Sequence, residues 1–183
     1  LWADIAVKDD TLRVFNLHLH STTIRKADSN YIENHEYMDD EESEEQIKSM
    51  VARLTENNKL RAAQVDTITQ IIAASPYPVI VCGDFNDTPD GGHFTLVRGM
   101  VDNKGLPLHQ RHEGSIRYKG KWELIDFFMV SPDIRSSGME VVRVPFLMAY
   151  DRKYPGEKPL RTFSGPRYIG GVSDHCPIVL WIY

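Results

Sequence analysis

The sequence predicts an α/β fold, of the α+β kind: a mainly antiparallel sheet with helices laid over it. Three observations carry this. Val79-Ile80-Val81-Cys82 is an unbroken apolar run between Pro78 and Gly83, the pattern of a strand buried on both faces. Ahead of it, Ile47, Met50, Val51 and Leu54, then Leu60, Ala63, Ile68, Ile71 and Ile72, recur at helical spacing. Thr11–Ser21 reads as a strand before this helix. A helical crossover of roughly thirty residues therefore joins two strands, as it does where a helix covers a sheet.

The elements follow in order. Leu1–Val7 and Thr11–Leu19 read as a hairpin closed at Lys8-Asp9-Asp10. In the second strand Leu17 and Leu19 share one face, and Asn16, His18 and His20 the other, because side chains alternate. That polar triple is either a solvent-facing edge, which suits His20 best, or part of a site. Residues 22–45 are polar and poorly periodic; the acidic run from Asp39 to Glu45 reads as a solvated loop leading into a helix, with Ser43 as its N-cap. The helical pattern weakens at Glu56-Asn57-Asn58, where a break or bend is expected. It ends before Ser75-Pro76-Tyr77-Pro78, since proline disfavours helix in the residue before it. Phe94, Leu96 and Val97 suggest a short helix, and Val101–Tyr118 a loop whose His109 and His112 lie on the surface. Trp122–Val130, Met139–Val144 and Ile178–Tyr183 read as strands, with Phe146–Tyr168 irregular between the last two. No composition break marks a linker, so residues 1–183 are expected to form a single domain.

Composition narrows the function. At 42% hydrophobic and 26% charged the chain has enough apolar residues for an ordinary core. The net charge of −5 excludes a globally basic nucleic-acid-binding surface. A local basic stretch, Arg152, Lys153, Lys158, Arg161 and Arg167, remains. Cys82 and Cys176 have no metal-ligand spacing and read as buried thiols. No targeting pattern fixes a location. The chain opens on Leu1 inside a strand pattern, which is expected of a piece of a longer protein.

The chemistry-bearing residues gather at strand ends. Asp84 and Asn86 follow directly on Val79–Cys82. Burying them unpartnered would cost roughly 2–7 kcal/mol each, so they either close the strand in an Asx turn or meet a ligand. Asp126 stands alone among Ile125, Phe127, Phe128, Met129 and Val130, and needs a partner for the same reason. With Asn16 and His18, and with Asp174 and His175, these make a set of histidines, carboxylates and amides suited to metal-assisted hydrolysis.

Four motifs in order resemble the endonuclease/exonuclease/phosphatase superfamily with its deoxyribonuclease-I-like fold: Asn16-Leu17-His18-Leu19, Gly83-Asp84-Phe85-Asn86, Ile125-Asp126-Phe127-Phe128 and Ser173-Asp174-His175-Cys176-Pro177. The wording is most similar to that of bacterial members. The resemblance implies the C-terminal half of a four-layer α/β sandwich. It implies a phosphodiesterase, nuclease or phosphatase, acting on nucleic acid, phospholipid or sugar phosphate. It implies that His175 takes a proton from water or steadies the attacking group, that Asp126 holds its other nitrogen, and that Asp84 orients or deprotonates the water. Asn86 and His18 would contact the phosphate or leaving group, with Asn16 in support. Asp174 would lie beside Mg²⁺, with Mn²⁺ or Ca²⁺ as alternatives.

The chain also departs from the family pattern. The principal metal-ligand Glu of that family sits in a Gln-Glu dipeptide of its N-terminal half, and residues 1–183 contain no such dipeptide. The 183 residues alone are therefore expected to be inactive. Their inner sheet face is expected to be covered by that N-terminal half or by a second copy. The competing expectation is a catalytically silent binding module that keeps the fold.

Overall fold

A computed structural model describes residues 1–183 apart from Thr23, 35–40, Leu96 and Arg98, and apart from the side chains of Lys26, Glu41, Glu42 and Thr95. Trp2–Val7 (β1) and Asp10–His18 (β2) form the expected antiparallel hairpin. Its turn is two residues long, Lys8 and Asp9, with Lys8 in the left-handed region at φ 57°, as tight hairpin turns demand. Every residue of β1 is exposed, so it is an edge strand.

Two helices follow, Lys26–Asn34 (α1) and Glu41–Ala73 (α2). Helix α1 lies in the stretch read from the sequence as a loop. It docks on α2 through the Arg53–Asp28 ion pair and the Tyr31–Ser43 hydroxyl contact. Ser43 is therefore inside α2 and buried, rather than its N-cap. Asp39 and Asp40 of the acidic run lie outside the described residues. The expected break at Glu56-Asn57-Asn58 does not occur: α2 is continuous over 33 residues. No proline or glycine falls inside it. Asn costs a helix at most about 0.7 kcal/mol against Ala, which tertiary contact overrides.

The main sheet is built on Val79–Asp84 (β3). It pairs in parallel with β2, which confirms the helical crossover, and antiparallel with Asp126–Val130, which becomes β7 below. Between them come Asp102–Asn103 (β4), the short helix Leu106–Gln110 (α3), and the hairpin Ile116–Tyr118 (β5) with Lys121–Glu123 (β6). The stretch Val101–Tyr118 is thus more ordered than a loop; short elements leave too few residues for a period to show. With Asp126–Val130 as β7, the sheet order is β1-β2-β3-β7-β4, antiparallel except at β2–β3. The fold is mixed α/β and rich in sheet.

Ser136–Val141 (β8) begins three residues earlier than the sequence pattern suggests. The stretch 146–168 is not irregular. It carries the hairpins Met148–Asp151 (β9) with Gly156–Pro159 (β10), and Phe163–Ser164 (β11) with Arg167–Tyr168 (β12). Ile178–Ile182 (β13) closes the chain and pairs antiparallel with β8. The short helix expected at Phe94 is a 3₁₀ turn, Gly92–Thr95.

The core sits between α2 and the main sheet, with Val65 and Ile72 of α2 against Phe15, Val79, Val81 and Met129. At its centre Phe85 and Phe127 stack at 4.0 Å between ring centroids, and Phe94 meets both edge-on. Phe127 is fully buried. Phe85 and Phe127 anchor the site, because each is the chain neighbour of a candidate residue.

Candidate functional site

Alternation along the strands explains the site. Phe85 and Phe127 point into the core, so Asp84, Asn86 and Asp126 are set off it. Register then lines them up: His18 of β2 lies opposite Asp84 of β3, and Asp84 opposite Asp126 of β7. His175 completes the row, its Nδ1 lying 2.7 Å from Asp126 Oδ2. The result is one line across three adjacent strands, His18–Asp84–Asp126–His175. His18 Nε2 stands 3.5 Å from Asp84 Oδ2. The His18 side chain is 78% exposed against 17% for Asp84, so His18 is the open end of the row and the carboxylates its shielded end.

Gly83 makes the row possible. It adopts φ 125°, and a Cβ there would lie 2.1 Å from the Leu17 carbonyl oxygen and 2.9 Å from Asn16 Oδ1. Only glycine lets β2 and β3 approach so closely at this point. The same contact locates Asn16, an exposed residue whose amide lies over the Gly83 backbone. Asn86 is left-handed, at φ 50°. Its backbone N–H donates to Asp84 Oδ1 at 2.8 Å, and its side-chain NH₂ donates to the Leu19 carbonyl at 2.8 Å. The Asx turn is therefore real, and it also orients the amide: one N–H is held by Leu19, and an amide nitrogen carries a second.

Electrostatics follow from this crowding. The half-buried Asp84 carboxyl is pushed above the usual carboxylate range, first by loss of water and also by the Asp126 charge. The hydrogen bond to Asp126 raises the His175 imidazole above its ordinary value, with the charges of Asp126, Asp84 and Asp174 adding to it. A carboxylate on Nδ1 fixes the neutral tautomer with its lone pair on Nε2.

Asp84, Asp126 and His175 can each offer one donor atom within 4.8 Å of the others'. Two carboxylates and an imidazole suit a divalent cation, and the desolvated Asp84 beside Asp126 is a charge arrangement that a cation would relieve. Asp174 is not one of these three: it is half exposed and pairs with Arg161 at 3.1 Å.

Two supporting residues carry no signal in the motifs. Ser115 is fully buried, and its hydroxyl donates to Asp126 Oδ2 at 2.5 Å while its carbonyl accepts the Cys176 N–H at 2.7 Å. It thus ties the His175 loop to Asp126, and nothing in Gly114-Ser115 announces this. Arg61, 2% exposed, donates to the His20 carbonyl at 2.9 Å and to Thr22 Oγ1 at 2.6 Å, and its Nη1 lies 3.1 Å from Asp87 Oδ2. It clamps the ends of β2 and β3 onto α2. Its signal is in the sequence: Arg61 stands on the apolar stripe with Val65, Ile68 and Ile72, where a charge needs buried partners. His20 binds Asn57 at 3.1 Å, and His109 pairs with Asp90 at 3.2 Å, both away from the row.

The model of the Endonuclease/Exonuclease/phosphatase family matches residues 4–183. The chain belongs to this family. The family's name covers endonucleases, exonucleases and phosphatases. Among curated proteins none matches the sequence. Among solved structures the chain is similar to a conserved protein of unknown function from Enterococcus faecalis, with TM-score 0.53 and 15% identity over all of this chain and 54% of that one. It is similar to Staphylococcus aureus beta toxin, with TM-score 0.52 and 16% identity over 98% of this chain and 55% of that one. It is also similar to a humanised Danio rerio TDP2, with TM-score 0.50 and 15% identity over 97% of this chain and 57% of that one. At these identities the likeness establishes the fold. The chain spans slightly more than half the length of the structures it matches.

Proposed function

We propose that the chain carries the catalytic row of a Mg²⁺-dependent phosphoester hydrolase. The observation that supports this most is the in-register line His18–Asp84–Asp126–His175 across β2, β3 and β7, with Asp126 on His175 Nδ1. His175 Nε2 accepts a proton from the attacking water. Asp126 fixes the tautomer and steadies the imidazolium that results. Asp84 orients the water. Asn86, held by Leu19, presents its second N–H to a phosphoryl oxygen, and His18 meets the phosphate or leaving group from the open end of the row, with Asn16 in support. A divalent cation held by Asp84 and Asp126, or by Asp174 as the family resemblance implies, would draw charge from the phosphoryl oxygens.

On the same reading the 183 residues alone are inactive or nearly so, because no Gln-Glu dipeptide supplies the family's principal metal ligand. That ligand comes from the remaining half of a longer protein, which also covers apolar side chains left open on β1 and β13, Trp2, Ile5 and Trp181 among them. The test is hydrolysis of bis(p-nitrophenyl) phosphate, duplex DNA, sphingomyelin and sugar phosphates with Mg²⁺. The longer protein should turn over at least one of these and lose about 10²–10⁴-fold on His175→Ala. Absence of any turnover by the longer protein favours the silent binding module. Turnover by the 183 residues alone that His175→Ala abolishes would overturn their inactivity.

A further inference from the structure

Lys153, Lys158 and Arg161 of the basic stretch noted in the sequence find a place beside the row. A cavity of about 430 Å³ opens between α1, the β5–β6 hairpin, the β9–β10 hairpin and the segment that leads to His175. Asp174, the chain neighbour of His175, is among the residues that line it. The cavity is built rather than incidental. Arg117 knits its two hairpins together, donating to the carbonyls of Gly120, Tyr154 and Pro155 at 3.0–3.1 Å. Gly156, at φ 134°, leaves room for that guanidinium: a Cβ there would lie 2.9 Å from Arg117 Nη2.

The lining charge runs against that of the chain. Three carboxylates are each matched by a cation: Glu33 by Lys119 at 2.6 Å, Asp151 by Lys158 at 3.1 Å, and Asp174 by Arg161 at 3.1 Å. Arg117 and Lys153 also line the cavity, and neither has a carboxylate within 4 Å among the described residues. Five cations against three carboxylates leave an excess of two positive charges, in a chain whose net charge is −5. Each Lys ammonium has three donors and each Arg guanidinium five, so the paired cations keep donors for a ligand. The volume is that of a small-molecule pocket. A duplex nucleic acid would need basic surface extending beyond it, which the overall charge does not provide.

We propose that this cavity binds the non-reacting end of the substrate, a second phosphate carried on a small sugar or polyol, and so selects doubly phosphorylated small molecules. The substrate part of this rests on the hydrolase reading; the binding part does not.

The test is calorimetric titration of the 183-residue chain with fructose 1,6-bisphosphate, fructose 6-phosphate and inorganic phosphate. The bisphosphate should bind about tenfold or more tightly than the monophosphate, the equivalent of about 1.4 kcal/mol. Lys153→Glu, at an exposed side chain, and Arg161→Ala should each erode that ratio. A ratio near one, or a ratio that neither cavity variant lowers, overturns the proposal. A ratio that survives while the longer protein hydrolyses nothing retains the anion site and removes the hydrolase reading. Vesicles carrying a phosphorylated phosphatidylinositol distinguish the source of the phosphate: capture lost in Lys153→Glu assigns it to a lipid headgroup, and no capture to a free sugar or polyol.

Discussion

The row and the cavity adjoin at Asp174–His175 but are held by different forces. The row hangs on backbone ladders: His18, Asp84 and Asp126 occupy matched positions on β2, β3 and β7, each next to a core residue. The cavity hangs on side chains: three ion pairs and an arginine bridge short hairpins of three or four residues per strand. Ladder geometry cannot drift without unpairing a sheet, whereas surface ion pairs hold little energy and rearrange readily. The difference separates a rigid reacting centre from an adaptable recognition wall, the division seen wherever loops on a fixed scaffold set specificity.

The strongest way to break the row is through its anchor. Phe127→Ala should remove about 3–5 kcal/mol by opening the stacked ring cluster under Asp126. Urea unfolding measures this. A loss below about 1 kcal/mol would show that the ring does not hold the strand. Ser115→Ala should come next. It strips a buried donor from Asp126 and should cost about 1.5–3 kcal/mol, as a hydrogen bond to a charged group does. No cavity substitution should approach either value.

Asp126→Asn sharpens the electrostatic side. The imidazole of His175 is raised above its ordinary 6.5 by Asp126, so folding favours the imidazolium. The pair's contribution to stability is full below that ordinary value and fades as pH climbs through the raised midpoint. An NMR titration of His175 should show a midpoint above 6.5 in the wild type that falls in Asp126→Asn. An unchanged midpoint would mean that Asp126 does not control His175. Asp84→Asn should act in the opposite sense on stability. Its carboxyl is raised above the ordinary 3.8, so folding favours the neutral form, and above its titration the carboxylate opposes folding. At neutral pH the variant should therefore melt at the same or a higher temperature than the wild type. It should also lose any rise in Tm that Mg²⁺ gives the wild type. A lower Tm in the variant would contradict the desolvated carboxylate.

The contrast also explains what the sequence made legible. The row was visible because a polar residue next to a buried run is costly, and four such costs occurred at strand ends. Asp126 inside Ile125–Val130 demanded a partner and has His175 and Ser115. The crossover was visible because α2 is long enough to show its period. The hairpins at 116–123 and 148–168 were not, since strands of two to four residues show no alternation. Lys153, Lys158 and Arg161 were visible as a basic stretch. Their meeting with Lys119, and with Glu33 more than a hundred residues away in the chain, is a fact of tertiary structure that local pattern does not encode. Arg61 lies between these cases: its position on an apolar stripe marks it as buried, but its partners at His20, Thr22 and Asp87 come from the fold.

Salt gives the smallest and most discriminating effect. The side chains of Arg161 and Asp174 are 51% and 50% exposed, whereas those of His175 and Asp126 are 24% and 15% exposed. At about 1 M salt the screening length is near 3 Å, short enough to silence charges in open solvent and too little to reach a shielded pair. Raising salt should therefore flatten the preference of the cavity for a bisphosphate over a monophosphate. The His175 midpoint should stay above 6.5. If both respond alike, the row and the cavity are one electrostatic unit and the division between ladder-held and charge-held regions fails. If only the cavity responds, recognition can change by substitution along 148–161 while the row at the ends of β2, β3 and β7 stays where the sheet register puts it.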